Sequence, residues 1–306
     1  MDYLNLYINF LKKYINLKRP LRVVFDCSNG TTGLIIKHLF TDKGLKIKSY
    51  FLYAKPDGNF PGHGPNPIST GAMDFLKKEV VTKKADLGII FDADGDRVLF
   101  VNDGGDEVSA EEVALLLGSK AKRVILTPNI GFVARELLSK QKKKVYESRV
   151  GHYFVKKAML RHNADFGIET SGHIYLKKFQ YNDSAILSAI LFMNSASRLS
   201  LQLSKWKKQL PVYYKSSEMN FSVLDKSKAM QNITMAYEDR ALKISKEDGI
   251  KMEFKSGKQQ WWFLLRASAN ENLLRLTMEA KSKDIFDHEL SGLIQHITKL
   301  GGKREK

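Results

Sequence analysis

Residues 85–103 read ADLGIIFDADGDRVLFVND and contain two apolar runs, Leu87–Phe91 and Val98–Val101, with an acidic loop between them. Short apolar runs with polar residues at both ends are typical of buried β-strands. The loop carries three aspartates at alternate positions: Asp92, Asp94 and Asp96. Because like charges so close together repel one another, the loop predicts a bound counter-charge at the end of a strand.

Strands and helices alternate on both sides of the acidic loop. LRVVFD and KIKSYFLY read as strands, LIIKHLF and TGAMDFLKKEVV as helices, and residues 3–17 as an amphipathic helix. The alternation restarts after Val108 and ends in a long helix over residues 184–206. After Pro211 come short strands and helices over residues 227–239 and 283–299. This order predicts two α/β domains with mixed, largely parallel sheets, residues 1–104 and 105–210, and a small α+β domain, residues 211–306.

The chain is strongly basic, with 50 Lys+Arg against 33 Asp+Glu and a formal net charge of +17. Such a charge suits a nucleic acid, an anionic membrane or an anionic small substrate. The lysines are scattered, however, and the sequence has no RNA-binding signature and no stripe of basic and aromatic residues. We therefore favour a solvated lysine-rich surface over nucleic-acid binding.

Nothing in the sequence points to an oxidising compartment or to a membrane. The single cysteine, Cys27, lies in an apolar run, which predicts a small core residue. The N-terminus lacks the basic start of a secretory signal, and the apolar stretch from residue 184 is interrupted by Ser, Asn and Arg. We therefore expect a cytoplasmic protein.

The three aspartates suit a hard cation such as Mg²⁺, because oxygen ligands at alternate positions converge on one point. A calcium-binding helix–loop–helix fits badly. That motif requires glycine where Arg97 stands, and it requires a flanking helix where a strand precedes these acids. The remaining alternative is a polar strand end with surface carboxylates.

Two further motifs carry polar side chains at short spacing. In GIETSGH, Glu169, Ser171 and His173 alternate, and in extended backbone they would share a face and contact sugar hydroxyls. Alternatively, His173 caps a turn. In RASANENLLR, strands carrying Arg266 and Arg275 flank a small polar loop that starts near Ser268. This suits a phosphate cradle, with an ordinary hairpin as the alternative. The proline-rich loop PDGNFPGHGPNP, residues 56–67, is rigid, but its pattern assigns it no chemistry.

Taken in order, these stretches resemble the α-D-phosphohexomutase superfamily, in particular phosphomannomutase/phosphoglucomutase. The resemblance covers nearly the whole chain, and the acidic loop and GIETSGH are highly specific together. The matching stretches are VVFDCSNGTTG, PDGNFPGHGPNP, GIIFDADGDRVLFVNDGGDEVS, SRVGHYFVKKAM, GIETSGHIYL and RASANENLLRLTMEA. Family enzymes have four domains, and this chain resembles domains two, three and four.

The resemblance implies a role for each group of candidate residues. It implies that the acidic loop ligates Mg²⁺, that GIETSGH contacts sugar hydroxyls and that the RASANENLLR hairpin grips the phosphate that is not transferred. The residues concerned are Asp92, Asp94 and Asp96 for the metal, Glu169, Ser171 and His173 for the sugar, and Arg266, Ser268 and Arg275 for the phosphate. Arg97, Arg149 and His152 would line the catalytic cleft. Some relatives carry lysine where Arg149 stands; arginine stays charged, so we expect electrostatic stabilisation from it rather than proton transfer.

The family reaction uses a phosphoserine, which donates its phosphoryl group to a hexose phosphate and then recovers one from the bisphosphate. Mg²⁺ neutralises charge on the transferred group. The serine belongs to a Ser-His-Asn-Pro type motif in domain one, and no Ser-His-Asn-Pro occurs in these 306 residues. The phosphate loop also departs from the family pattern, because Asn270 and Asn272 stand where threonine and proline are usual.

Three hypotheses follow. The first is a phosphohexomutase that interconverts hexose 1- and 6-phosphates and whose phosphoserine domain is a separate domain or subunit; the chain alone would then not turn over. The second is a truncated relative that binds phosphosugars without isomerising them. The third is a decaying fragment. The sequence does not choose between mannose, glucose and glucosamine phosphates.

Overall fold

The computed structural model describes residues 2–41, 44–257, 259–268 and 271–305. Contacts divide the chain into two compact units. The N-terminal unit holds residues up to Leu126 together with Leu137–Tyr146 and His152–Leu210. The C-terminal unit holds residues from Pro211 onward together with two short segments, Thr127–Glu136 and Glu147–Gly151. None of the helices in the described residues is long and apolar enough to span a membrane.

The first sheet has the strand order β2-β1-β3-β4-β5, parallel at β2-β1-β3 and antiparallel beyond β3. Its elements are α1 (Tyr3–Lys12), β1 (Leu21–Asp26), α2 (Thr32–Phe40), β2 (Ile47–Leu52), α3 (Asp74–Thr82), β3 (Leu87–Phe91), β4 (Val98–Asn102) and β5 (Glu107–Val108). Helices cover both faces: Phe25 of β1 stacks on Phe40 of α2, whereas Val24 packs with Leu76 of α3. β3 is therefore buried along its whole length, as its unbroken apolar run predicts.

The second sheet has the order β10-β9-β8-β6-β7, with β6 and β8 parallel and β8, β9 and β10 antiparallel. Its elements are α4 (Ala110–Gly118), β6 (Arg123–Leu126), α5 (Phe132–Lys140), β7 (Lys144–Glu147), α6 (His152–His162), β8 (Phe166–Ile168), β9 (Ile174–Leu176), β10 (Asn182–Asp183), α7 (Ala185–Ala196) and α8 (Leu203–Lys207). Within the N-terminal unit, α7 packs against the first sheet, where Phe192 stacks on Phe100 with ring centroids 3.9 Å apart. This contact joins α7 to β4 of the first sheet.

The C-terminal sheet is antiparallel, in the order β13-β14-β15-β16-β12-β17, with β11 also paired to β16. Its elements are β11 (Tyr214–Lys215), β12 (Met219–Ser222), α9 (Lys226–Tyr237), β13 (Lys243–Ser245), β14 (Ile250–Ser256), β15 (Gln259–Ala267), β16 (Leu273–Ala280), α10 (Lys283–Lys299) and β17 (Lys303–Arg304). The core between the sheet and its helices includes Met252, Phe263, Leu276, Leu293 and Ile297. The predicted fold class is confirmed: mixed α/β sheets, followed by a small α+β domain. The bounds 1–104, 105–210 and 211–306 stay a prediction.

Two predicted helices are shorter than expected. The helix predicted over residues 3–17 ends at Lys12, because Asn194 draws the following backbone out of helical bonding. Its Nδ2 donates to the Tyr14 carbonyl (2.7 Å), and its Oδ1 accepts from the Asn16 N–H (2.8 Å). The long helix predicted over residues 184–206 breaks after Ala196, where the Ser197 hydroxyl donates to the Asn194 carbonyl and accepts from the Lys18 N–H. Side-chain bonds to the backbone therefore end both helices.

We expect Asn194→Ala to lower the free energy of unfolding by about 2 kcal/mol, because the substitution leaves two backbone groups without their buried partner. Asn194 itself is buried. Urea unfolding midpoints would measure the loss. Gln141→Ala, at an exposed amide, is the control and should change stability by less than about 0.5 kcal/mol. Equal stability of Asn194→Ala and the wild type would show that the contact does not hold the end of α1.

Candidate active site

The acidic loop is the hairpin connection between antiparallel strands β3 and β4. It folds around Asp92, which is fully buried and whose Oδ1 accepts the backbone N–H groups of Gly95 (3.0 Å) and Arg97 (3.1 Å). Neighbouring loops hold it from outside: the Ala93 carbonyl accepts the Thr31 N–H, and the Ala93 N–H donates to the Pro65 carbonyl. The proline-rich loop, to which the sequence pattern assigned no chemistry, therefore supports the acidic loop.

The three aspartates of this loop bring one carboxylate oxygen each within 4.8 Å of the others. Burial raises the pKa of Asp92, the neighbouring Asp96 carboxyl adds to the rise, and the Arg97 guanidinium opposes it. Among the described residues Asp96 Oδ1 finds no hydrogen-bond partner, although it is shielded from solvent. Crowded carboxylate oxygens with one unpartnered atom are the donor set of a hard divalent cation, so the residues fit a metal site.

Arg97 is fixed at the edge of this loop by contacts to two different loops. Its Nε lies 2.7 Å from Asp92 Oδ2, and its Nη1 donates to Asn66 Oδ1 at 3.1 Å. Asn66 belongs to the proline-rich loop, and sequence reasoning missed it because no motif set it apart. These contacts hold a permanent positive charge beside the carboxylates.

Glu169, Ser171 and His173 meet through a tight turn, not through the extended backbone that the alternating pattern suggested. β8 ends at Ile168, and the Gly172 N–H bonds back to the Glu169 carbonyl with Gly172 at φ +96°. The Ser171 hydroxyl lies 3.0 Å from Glu169 Oε2 and 2.9 Å from His173 Nδ1. The turn thus gathers a carboxylate, a hydroxyl and an imidazole on one polar surface.

This turn and the acidic loop are joined directly. His173 Nε2 lies 3.3 Å from Asp96 Oδ2, and Arg97 and His173 form an isolated antiparallel bridge. The Val98 N–H also donates to the Gly172 carbonyl. Burial would lower the pKa of His173, but the Glu169 and Asp96 carboxylates outweigh it and raise that pKa above its usual value. Two stretches separated by about eighty residues therefore form one polar site.

His152 reaches the same region from the first turn of α6. Its Nδ1 lies 3.3 Å from Asp183 Oδ2, and its ring packs edge-on against Tyr175. Asp183 also lies with Asp96 and His173 in a second group of closely spaced ligand atoms. Sequence reasoning missed Asp183, since its neighbourhood, YNDSA, carries no motif that we recognised. The site therefore has a further carboxylate, Asp183, in contact with His152 and close to His173.

In the C-terminal unit, Arg266 of β15 and Arg275 of β16 are opposite each other in the antiparallel register. Residues opposite each other point to the same face, so two guanidinium groups would repel unless acids balance them. Asp248 lies 3.4 Å from Arg266 Nε, and Glu271 lies 3.0 Å from Arg275 Nη2. In the described part of the chain, Arg275 Nε is buried without a hydrogen-bond partner. A buried guanidinium donor with no acceptor among the described residues suits an anionic ligand.

A lysine to which sequence reasoning assigned no role holds the two ends of the loop between these strands. Lys226 Nζ donates to the carbonyls of Ser268 and Glu271, each at 2.9 Å. The Ser268 hydroxyl lies 3.4 Å from Glu271 Oε2. Asn270 lies outside the described residues. Because asparagine has no hydroxyl, the phosphate contact that threonine makes in the family pattern is in doubt here.

Arg149 belongs to the C-terminal unit, apart from the other residues expected to line the cleft. It is exposed, and the next residue, Val150, donates its N–H to Asp248 Oδ2 at 3.2 Å. The structure therefore brings the predicted residues together in two groups. The N-terminal unit holds Asp92, Asp94, Asp96, Arg97, His152, Glu169, Ser171 and His173, and the C-terminal unit holds Arg149, Arg266, Ser268 and Arg275.

Solved structures share this fold. A phosphoglucomutase/phosphomannomutase family protein from Burkholderia thailandensis matches with a TM-score of 0.87 and 21% identity, over 98% of this chain and 65% of that one. An N-acetylphosphoglucosamine mutase from Aspergillus fumigatus, solved in complex with GlcNAc-6P and magnesium, matches with a TM-score of 0.69 and 16% identity, over 98% and 65% of the two chains.

Curated relatives match over most of the chain. A phosphomannomutase from Methanocaldococcus jannaschii is 29% identical over 97% of this chain and 67% of the relative. A probable phosphoglucosamine mutase from Methanocella arvoryzae is 34% identical over 86% of this chain and 58% of the relative. The chain thus spans 58% to 67% of the length of these curated relatives.

Two protein-family models together match about two thirds of the sequence. Residues 5–105 match the phosphoglucomutase/phosphomannomutase alpha/beta/alpha domain II, and residues 108–214 match alpha/beta/alpha domain III. The acidic loop falls in the first match, and the Glu169–His173 turn falls in the second. With these matches, and with the same fold in the solved structures, the chain belongs to the phosphoglucomutase/phosphomannomutase family.

Proposed function

We propose that this chain carries the metal loop, the sugar-binding turn and the phosphate clamp of a phosphohexomutase, an enzyme that interconverts hexose 1-phosphates and hexose 6-phosphates. The observation that supports this most strongly is the direct link from Asp96 through His173 and Ser171 to Glu169. It sets groups that bind a cation beside groups that bind hydroxyls, which is the combination that phosphoryl transfer to a sugar needs.

In this proposal Asp92, Asp94 and Asp96 hold Mg²⁺, which when bound would neutralise negative charge on the transferred phosphoryl group. The buried Asp96 Oδ1 has no hydrogen-bond partner among the described residues and only the Arg97 guanidinium, 3.6 Å away, as a counter-charge, which favours a small hard cation. Arg97 adds a fixed positive charge next to the metal loop. The structure of the Aspergillus relative in complex with magnesium is consistent with this choice of metal.

The substrate is held at its sugar and at its phosphate. Glu169, Ser171 and His173 would accept and donate hydrogen bonds to sugar hydroxyls, and His152 would line the same cleft. Arg266, Ser268 and Arg275 would bind the phosphate that is not transferred, with the free Nε of Arg275 as one donor. Arg149 remains charged at neutral pH, so its part would be to stabilise negative charge.

The phosphoryl carrier must come from outside these 306 residues, because they contain no Ser-His-Asn-Pro. We propose a separate phosphoserine-bearing domain or subunit. The substrate would be a hexose phosphate: the matched relatives are named for mannose and glucosamine phosphates, and the Aspergillus relative was solved with GlcNAc-6P.

A second candidate is a protein that binds phosphosugars without isomerising them, because the Glu169–His173 turn and the Arg275 donor could bind a ligand without a phosphoserine. One experiment separates the two. The purified chain is mixed with a phosphorylated family domain that carries Ser-His-Asn-Pro, and conversion of mannose 1-phosphate and of glucose 1-phosphate is measured with Mg²⁺. Turnover by the mixture supports the mutase. Hexose phosphate binding by the chain, without turnover from a correctly paired complex, would leave only the binding protein.

We expect Arg275→Gln to weaken glucose 6-phosphate binding about tenfold, because a hydrogen bond to a charged group contributes about 1.5 kcal/mol or more. Isothermal titration calorimetry would measure the change. Arg240→Gln, which removes an exposed guanidinium from the same unit, is the matched control and should bind like the wild type. An unchanged dissociation constant for Arg275→Gln would remove this residue from the clamp.

A further inference from the structure

Asp248 is a nearly buried carboxylate that contacts two parts of the proposed site at once. Its Oδ2 accepts the Val150 N–H at 3.2 Å and lies 3.4 Å from Arg266 Nε. Only 11% of the Asp248 side chain is exposed. The first contact fixes the backbone beside Arg149, and the second fixes a guanidinium of the phosphate clamp.

The backbone sets the position of Asp248, because the next residue is packed tightly on β15. Gly249 has φ +80°, and a Cβ at this position would lie 2.3 Å from the Leu265 carbonyl oxygen. Glycine is therefore required for this close approach. The turn at residues 248–249 cannot move away from Arg266 without breaking the start of the β14–β15 ladder at Ile250 and Leu265.

A second contact from the same stretch of chain holds the Arg149 segment. Lys251, two residues into β14, is buried, and its Nζ donates to the Pro128 carbonyl (2.8 Å) and to Glu147 Oε2 (3.2 Å). Residues 147–151 are therefore attached at two points, by Lys251 of β14 at Glu147 and by Asp248, two residues before β14, at Val150. These contacts explain why residues 147–151 belong to the C-terminal unit, although the preceding residues of β7 belong to the N-terminal unit.

We propose that Asp248 is a positioning residue: one carboxylate sets the Arg149 loop and the Arg266 guanidinium in a fixed arrangement for the same phosphosugar. The inference rests on the proposed function, because it names what aligns two of that site's arginines. Asp248 contacts Arg266 on its Nε side and also offsets the repulsion between Arg266 and Arg275, which stand opposite each other. Without the carboxylate, the backbone beside Arg149 and the Arg266 guanidinium would no longer be held by the same group.

The test uses the full chain and glucose 6-phosphate with Mg²⁺, measured by titration calorimetry. Asp248→Asn should weaken binding about tenfold, as expected when a charge-assisted contact that orients a ligand-binding arginine is lost. Asp239→Asn, at an exposed carboxylate of the same unit, should bind like the wild type. Equal affinities of Asp248→Asn and the wild type would overturn the inference and leave the proposed function intact.

A cycle of substitutions separates positioning from a general loss of structure. If Asp248 acts through Arg149 and Arg266, then Asp248→Asn should add little to the loss caused by Arg149→Gln and Arg266→Gln together, whereas an independent effect would add. Additive losses would therefore contradict the proposal. The Val150 amide resonance should also move in Asp248→Asn in the absence of sugar, while the resonances of β17, at the far edge of the sheet, stay in place.

The wild type provides a measurement that does not depend on folded variants. During titration with glucose 6-phosphate, the Val150 amide and the Arg266 Nε–Hε resonances should shift along one binding curve. Binding without a shift at Val150 would overturn the inference. No binding of glucose 6-phosphate or mannose 6-phosphate at millimolar concentration would overturn the proposed function, and with it the inference.

Discussion

Asp96→Asn should weaken Mg²⁺ binding about a hundredfold. Asp96 carries the buried oxygen that has no hydrogen-bond partner among the described residues, and the substitution replaces a carboxylate by a weaker neutral ligand. Asp92 is a less informative target, because its carboxylate also holds the backbone of the loop. Asp96 therefore tests metal binding with the smaller disturbance of the fold.

Thermal or urea unfolding with and without Mg²⁺ measures this effect independently of turnover. At a Mg²⁺ concentration one hundred times the wild-type dissociation constant, the wild type should gain about 2.7 kcal/mol, and Asp96→Asn, with a hundredfold weaker site, should gain only about 0.4 kcal/mol. Asp239→Asn, at an exposed carboxylate, should keep the full gain. An equal gain in Asp96→Asn would contradict the site.

The absolute affinity tests a related expectation. Three aspartates supply only part of a magnesium shell, which is close to octahedral, so water, substrate phosphate or a partner would supply the remainder. We expect the chain alone to bind Mg²⁺ more weakly than a complete mutase. Sub-micromolar affinity would contradict this.

Raising the pH from 7 to 10 should stabilise the wild type by about 2.5 kcal/mol relative to Lys251→Met. Burial of Lys251 lowers its pKa to about 8; the nearby Arg135 guanidinium adds to the fall, and Glu147 opposes it. In the unfolded chain the group returns to its ordinary value near 10.5. Between these two values the unfolded state binds more protons than the folded state, so stability rises with pH in this window.

Urea unfolding of both proteins at pH 7 and at pH 10 measures this difference. Groups other than Lys251 titrate in both proteins, so their contributions cancel when the variant is subtracted. Lys281→Met, which removes a more exposed lysine from the same unit, should follow the wild type. Identical pH dependence in the wild type and Lys251→Met would mean that the buried amine does not titrate in this range.

The fold could be predicted from the sequence wherever its signal is local. The unbroken apolar run of β3 predicts a strand covered on both faces, and the structure buries all five of its residues. Cys27 is buried as predicted, and the final helix has the predicted bounds, Lys283–Lys299. The ends of α1 and α7 could not be predicted, because Asn194 and Ser197 set them through contacts to residues 178 to 180 positions away.

In the candidate site, too, local features could be predicted from the sequence, whereas contacts between distant residues could not. The sequence by itself indicated the polar residues of the acidic loop, of the Glu169–His173 stretch and of the arginine hairpin, because each group lies within a few positions of the chain, but it suggested extended backbone where Glu169–His173 form a turn. Only the tertiary structure decided which of these stretches meet. Asp96 and His173 are 77 residues apart, and Val150 and Asp248 are 98 residues apart. A short motif indicates which chemistry a loop can perform. Strand order and packing determine which other loop lies beside it, and no local sequence pattern encodes them.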